Sequence, residues 1–223
     1  MRALDPSSAL ASLSLALLKF SSPGVPDVYQ GCEFIERSLV DPDNRRPVDY
    51  ALRMRSLQRL QQVADAADLP GAVLGLVDDA ADGSAKLWAS WRRLQLRQRL
   101  PALIQSGSYE PLEVRGRHAH HVVAFLRRHE EAAVLVIAVR LFAGLASAAG
   151  GDAQARTPAW RGEVWADTRV CLPEDLAGCT MKDGLTGAAC VAAAELAGAQ
   201  RFTHFPGAVL VREPCGRPAM PTL

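Results

Sequence analysis

Between Gly24 and Tyr50 the chain reads GVPDVYQGCEFIERSLVDPDNRRPVDY. Tyr29, Glu33, Asp41, Asp43, Asn44, Arg45 and Arg46 put a ring face, carboxylates, an amide and two adjacent guanidiniums into this one segment. Together they can donate and accept many hydrogen bonds within a small space. Acid–base chemistry fits them less well. Glu33, Asp41, Asp43 and Asp49 lie beside Arg45 and Arg46, and an ion pair favours the ionised carboxylate. A general acid needs the opposite shift. His118, His120 and His121 invite a metal reading, but no acidic or cysteine partner stands near them in sequence, and their alternation suits an exposed strand edge. The five cysteines are scattered and lack a CxxC spacing, which leaves neither a zinc site nor a disulfide framework and makes a reducing cytoplasm the expected compartment.

The elements around the segment must hold it in place. Asp5-Pro6-Ser7-Ser8 starts a helix that runs to about Lys19 and is apolar on most faces. Ser21-Ser22-Pro23-Gly24 breaks it, and Val25–Gln30 reads as a short strand that leads into the polar loop from Gly31 to Arg46. Pro47 suits the first turn of a second helix, Val48 to about Val63, with an apolar stripe at Ala51, Leu52, Met54, Leu57, Leu60 and Val63. One strand cannot make a sheet, so this α/β portion is incomplete as a fold.

Asp68 to Gly83 reads as a connection. Lys86 to Leu100 is a third helix, with Leu87, Trp88, Trp91, Leu94 and Leu96 inward, Arg92, Arg93, Arg97 and Arg99 outward, and Pro101 ending or bending it. From Tyr109 onward the period changes to two, in YEPLEV, HVVAFLRR, AAVLVIAVR, GEVWADTRVCL, CTMKDGLTG and FTHFPGAVLVRE. Short strands divided by Gly, Pro and Asp predict an antiparallel β domain. Ala143–Thr157 reads as a loop and the tail after Glu213 as frayed. The expected division is residues 1–67, a connecting segment and helix at 68–106, and the β domain at 107–223. Trp88 and Trp91 are expected in the core.

At 223 residues, 49% hydrophobic and 22% charged, the chain has enough apolar residues for a sizeable core. A net charge of +1 gives no field to recruit nucleic acid or an anionic membrane. The apolar run Ala9–Phe20 is too short to span a bilayer and lacks a signal-peptide cleavage pattern.

The stretch GVPDVYQGCE resembles the GxPxxYxGxE end of the eighth barrel strand in the α-amylase superfamily of glycoside hydrolases. LVDPDNRRPVDY narrows the likeness to the maltooligosyl trehalose synthases. SLALLKFSSPGVPDVYQG, LWASWRRLQLRQRLPALIQSGSYEPLEV, HHVVAFLRR and FPGAVLV agree in order, so the resemblance runs from Leu13 to about Val211.

The resemblance implies a fold that is α/β plus all-β: the last strand and helices of a (β/α)8 barrel, then a C-terminal antiparallel β-sandwich domain. It implies a C-terminal portion of an enzyme that turns the reducing-end α-1,4 linkage of a maltooligosaccharide into α,α-1,1, with Tyr29, Glu33, Asp41, Asp43, Asn44, Arg45 and Arg46 in or beside the substrate cleft. One of the two arginines can equally be a strut to Asp41 or Asp49, and Glu33 suits a bracing position better than a sugar contact. Retaining α-glucan enzymes need two carboxyl groups about 5–5.5 Å apart. The motifs that carry them do not occur in this chain, so no catalytic residue, metal or cofactor is assigned to it and inactivity alone is expected. The open alternatives are a non-catalytic glucan-binding module, or half of a split enzyme whose other chain carries the remaining strands.

Overall fold

The computed structural model describes residues 6–36, 45–148 and 160–213. Asp41, Asp43 and Asn44 lie outside the described residues. Helix α1, Pro6–Ser21, has Pro in its first turn and buries Leu10, Leu13, Leu17 and Phe20 along one stripe. Helix α2 covers Tyr50–Ala64. It starts later than Pro47 suggests because the Asp49 carboxylate accepts from the Leu52 amide at 2.8 Å and caps it there.

Residues read as a connection form α3, Leu69–Asp78, capped by Asp68 and burying Val73, Leu76 and Val77. Pro70 sits in its first turn, where a missing N–H costs nothing. Helix α4 is Ser84–Arg99, and α5, Pro101–Ser106, follows directly after Leu100.

Strands β1 (Glu110–Pro111), β2 (Val114–Arg115), β3 (Val122–His129) and β4 (Ala132–Val139) come next. Part of the expected loop is helical instead, as α6, Phe142–Ala148. Then come β5 (Arg169–Cys171), β6 (Thr180–Asp183), β7 (Ala189–Val191), β8 (Glu195–Ala197), α7 (Gly198–Arg201) and β9 (Gly207–Arg212).

Two antiparallel sheets result, one ordered β1-β3-β4-β9-β6-β7 and one ordered β2-β5-β8. Every residue of β4 is buried, as its unbroken apolar run AAVLVIAV requires of a strand covered on both faces. Helix α1 packs on β4 and on α4, so a single core joins the helices to the large sheet. Gly207 permits that approach, since a Cβ there would meet Leu17 Cδ1 at 2.7 Å.

Further expectations change. Val25–Gln30 forms no strand: Val25 is 94% exposed, and no strand among the described residues pairs with it. Arg93 is not outward but 1% exposed, because it continues the face of Ala85, Ala89 and Leu96. Burial lowers its pKa to about 9, with Arg97 adding and buried Asp183 opposing. The histidines do not line an exposed strand edge. Ala119–His121 is a 3₁₀ turn ahead of β3, and His118 and His121 are buried.

Trp88 is fully buried as expected, and Trp160 and Trp165 are buried with it. Leu52, Met54 and Leu94 stay exposed although the pattern turns them inward. No helix among the described residues is long and apolar enough to cross a membrane.

Candidate functional site

The C-terminal end of α1 delivers the chain to the polar segment. Gly24 turns it at φ 94°, and Gly31 turns it again at φ 90°, where Cys32 N–H donates to the Tyr29 carbonyl at 3.1 Å. Both values fall in the left-handed region that glycine tolerates without strain. A side chain at Gly31 would also press on Val48 at 3.2 Å.

Arg53, one turn into α2, organises this loop and was not among the residues singled out in the sequence. Its Nε donates to Glu33 Oε2 at 3.1 Å, one terminal nitrogen to the Gly31 carbonyl at 2.9 Å, and the other to the Asp49 carbonyl at 3.2 Å. Its guanidinium also stands 4.9 Å from the Phe34 ring centre. Tyr50 Oη donates to Gln30 Oε1 at 3.1 Å, and Lys86 Nζ donates to the Phe34 carbonyl at 2.9 Å. The helical periodicity of α2 gave one signal: Arg53 lies four residues from the Asp49 cap, one turn on and facing back toward it.

Of the residues named from the sequence, Glu33 is half-buried and ion-paired with Arg53, whereas Tyr29 is 62% exposed. Arg45 and Arg46 are exposed beyond the gap in the described residues. Asp49 acts as the helix cap. A groove of ≈ 570 Å³ opens beside the loop, walled by Leu15, Val28, Leu57, Lys86, Trp91 and Leu94. Burial lowers the pKa of Lys86, and the Lys19 ammonium adds to that, while the Glu33 and Glu36 carboxylates oppose it. The site is therefore a braced, hydrogen-bonding loop at the mouth of a mainly apolar groove, suited to gripping a polar ligand with an apolar face.

A second concavity, ≈ 770 Å³, lies where Ser7, Arg117, His118, His120, His121 and Phe142 meet. Among the described residues no group of three or more His, Cys, Asp or Glu is placed to hold a metal ion. Burial chiefly depresses the pKa of His118, helped by Arg117 and His120. It also depresses that of His121, against a bond to the Arg140 carbonyl. Their folded values lie below the unfolded value of about 6.5. Stability from the neutral rings is thus complete above about pH 6.5 and is lost as pH falls through the folded values. Urea unfolding is expected to show a lower midpoint at pH 5 than at pH 7, with a shallower dependence in a His118→Gln/His121→Gln variant. Equal slopes in the two proteins would refute the assignment.

The fold is one found in amylase-type enzymes. An Anoxybacillus α-amylase superposes on 92% of this chain and 32% of its own with a TM-score of 0.52, at 17% identity. The relatives that match more closely carry a narrower name. The maltooligosyltrehalose synthase of Arthrobacter ramosus matches at a TM-score of 0.65 and 36% identity, over 89% of this chain and 21% of its own. A putative maltooligosyl trehalose synthase of Mycobacterium tuberculosis is 40% identical over 116 residues, which is 52% of this chain and 12% of that protein. No family model matches the chain. The likeness carried by the loop motif is therefore borne out, and it is a likeness to part of those enzymes: the chain spans about a fifth of the solved structure's length and 12% of the curated relative's.

Proposed function

We propose that this chain supplies the loop-bearing part of a maltooligosyl trehalose synthase, which holds the reducing-end glucose while its α-1,4 linkage becomes α,α-1,1. The observation that carries this reading is the motif-bearing loop itself, fastened by Arg53 at the mouth of the groove. Tyr29 offers an exposed ring face to a sugar. Asp41, Asp43, Asn44, Arg45 and Arg46 supply donors and acceptors for glucose hydroxyls, and Glu33 braces the loop through Arg53. A pocket that shuts out water favours isomerisation over hydrolysis, because the released glucose must turn and be recaptured.

The bond chemistry needs a carboxyl pair about 5–5.5 Å apart. We assign that pair to protein outside these 223 residues. In this reading Val25–Gln30 is the last strand of a (β/α)8 barrel and pairs only when its neighbours are present, residues 68–106 connect, and residues 107–223 form a β-sandwich. Active sites of such barrels gather at the C-terminal ends of the strands, where Gly31–Arg46 would lie. The exposure of Val25, Leu52 and Met54 supports a covering partner, in the same polypeptide or as a second chain of a split enzyme in the cytoplasm.

The test uses maltopentaose and follows the loss of reducing ends. The chain alone is expected to convert none, and addition of a chain carrying the remaining barrel strands is expected to start conversion. Activity of the chain alone would overturn the assignment of the carboxylates. Glucan binding without conversion in either case would instead favour a non-catalytic binding module.

A further inference from the structure

We propose that Arg97 and Arg127 are positioning residues, through which α4 and β3 fix the point where the substrate loop leaves α1. The functional meaning rests on the reading of that loop given above. The last four carbonyls of a helix have no partner within it. At the end of α1, Leu18 O is taken by Ser22, through its amide at 2.9 Å and its hydroxyl at 2.8 Å. Phe20 O accepts from Arg97 at 3.2 Å, and Ser21 O accepts from Arg127 at 3.3 Å. Arg97 also donates to the carbonyl of Gly24 at 2.9 Å, the residue at which the loop makes its first turn.

Arg127 comes from β3 and is 1% exposed. Besides Ser21, its guanidinium donates to the carbonyls of Leu103 at 3.1 Å, Ile104 at 3.2 Å, Gly107 at 3.0 Å and Ser108. It thus lies against the carbonyl ends of both α1 and α5, where a positive charge meets the negative poles of the helices. A buried charge is costly without such compensation. The planar fork with its five donors can join three chain segments, as the three donors of a lysine cannot. Arg97 reaches from α4 to the same helix end and extends the hold into the loop. The root of the loop is therefore fastened to β3 and α4, apart from the Arg53 contacts that fasten its far side.

Backbone ¹⁵N relaxation on the full chain tests this, with Arg97→Met and Arg127→Lys. In Arg97→Met, order parameters of residues 24–36 are expected to fall from about 0.85 to below about 0.6, while those of β4 and β9 stay at the parent's values. Arg127→Lys is expected to give a smaller fall in the same residues, because three donors replace five. Unchanged order in residues 24–36 of Arg97→Met would overturn the proposal. So would an equal fall across β4 and β9, which would make Arg97 a general support. No sugar enters this measurement, so its failure is distinguishable from failure of the proposed function.

Discussion

Hydrogen exchange of the Cys32 amide, which donates to the Tyr29 carbonyl in the turn at Gly31, is expected to run about 30-fold faster in an Arg53→Ala chain than in the parent, with the amides of β4 and β9 equally protected in both. Arg53 ties together Glu33, the Gly31 carbonyl and the Asp49 carbonyl, and it is largely shielded from solvent. A hydrogen bond to a charged group is worth roughly 1.5–3 kcal/mol when one partner is removed. A loss of about 2 kcal/mol in holding the turn at Gly31 closed raises its open population about 30-fold, and exchange follows that population when closing is fast. Arg53→Lys should fall between the two, since an ammonium keeps the charge but not the fork that reaches three acceptors. Equal exchange at Cys32 in Arg53→Ala and parent would show that α2 does not brace this turn. In the enzyme proposed above, the same looseness should cost on the order of 100-fold in kcat/KM, the penalty for displacing a positioning group by about 1 Å.

The largest effect on stability is expected at Trp88. Its side chain is fully buried, its Nε1–H donates to the Leu185 carbonyl at 3.2 Å, and its ring packs edge-on against Trp91 with centroids 5.5 Å apart. Arg92 lies over both rings and donates to the Gly184 carbonyl at 3.0 Å, so α4 grips the turn after β6 from two positions. Trp88→Ala should cost about 3–5 kcal/mol, through lost apolar burial and the cavity left behind. That is a large part of the roughly 5–15 kcal/mol that holds a domain folded. Trp88→Phe should cost less: it keeps most of the packing and loses one net hydrogen bond of about 1 kcal/mol. Urea unfolding of both variants checks this, and a loss below about 1 kcal/mol in Trp88→Ala would mean that the site collapses around the smaller side chain.

Periodicity made much of the β-rich half legible. HVVAFLRR and AAVLVIAVR became β3 and β4, and FPGAVLVRE supplied β9, because alternating or unbroken apolar runs leave few other ways to bury them. Helices α1 and α4 were readable for the same reason at the helical period. Helix α3 was not, since Gly71, Gly75 and Pro70 weaken its propensity, and only the packing of Val73, Leu76 and Val77 decides it. Strands β7 and β8, three residues each, carry too little pattern to be read locally and exist through their pairing with β6 and β5.

The loop divides along the same line. Its residue types and the resemblance they carry are properties of the sequence, as are the turns at Gly24 and Gly31 that only a flexible backbone makes cheaply. The arginines that fix the loop are a tertiary matter. Arg53, Arg97 and Arg127 sit in helices and a strand where charge patterning marks an ordinary solvated residue, yet each reaches carbonyls far away in the chain. Arg93 was misread for the same reason, since burial of a guanidinium depends on what packs over it. Val25–Gln30 shows the converse. Its composition is that of a strand, but a strand needs a partner to receive its hydrogen bonds, and the described residues place none beside it. Local pattern thus determined the longer helices and strands and the residue types of the polar loop. Tertiary structure decided which backbone groups found partners, because pairing and burial depend on residues distant in the chain.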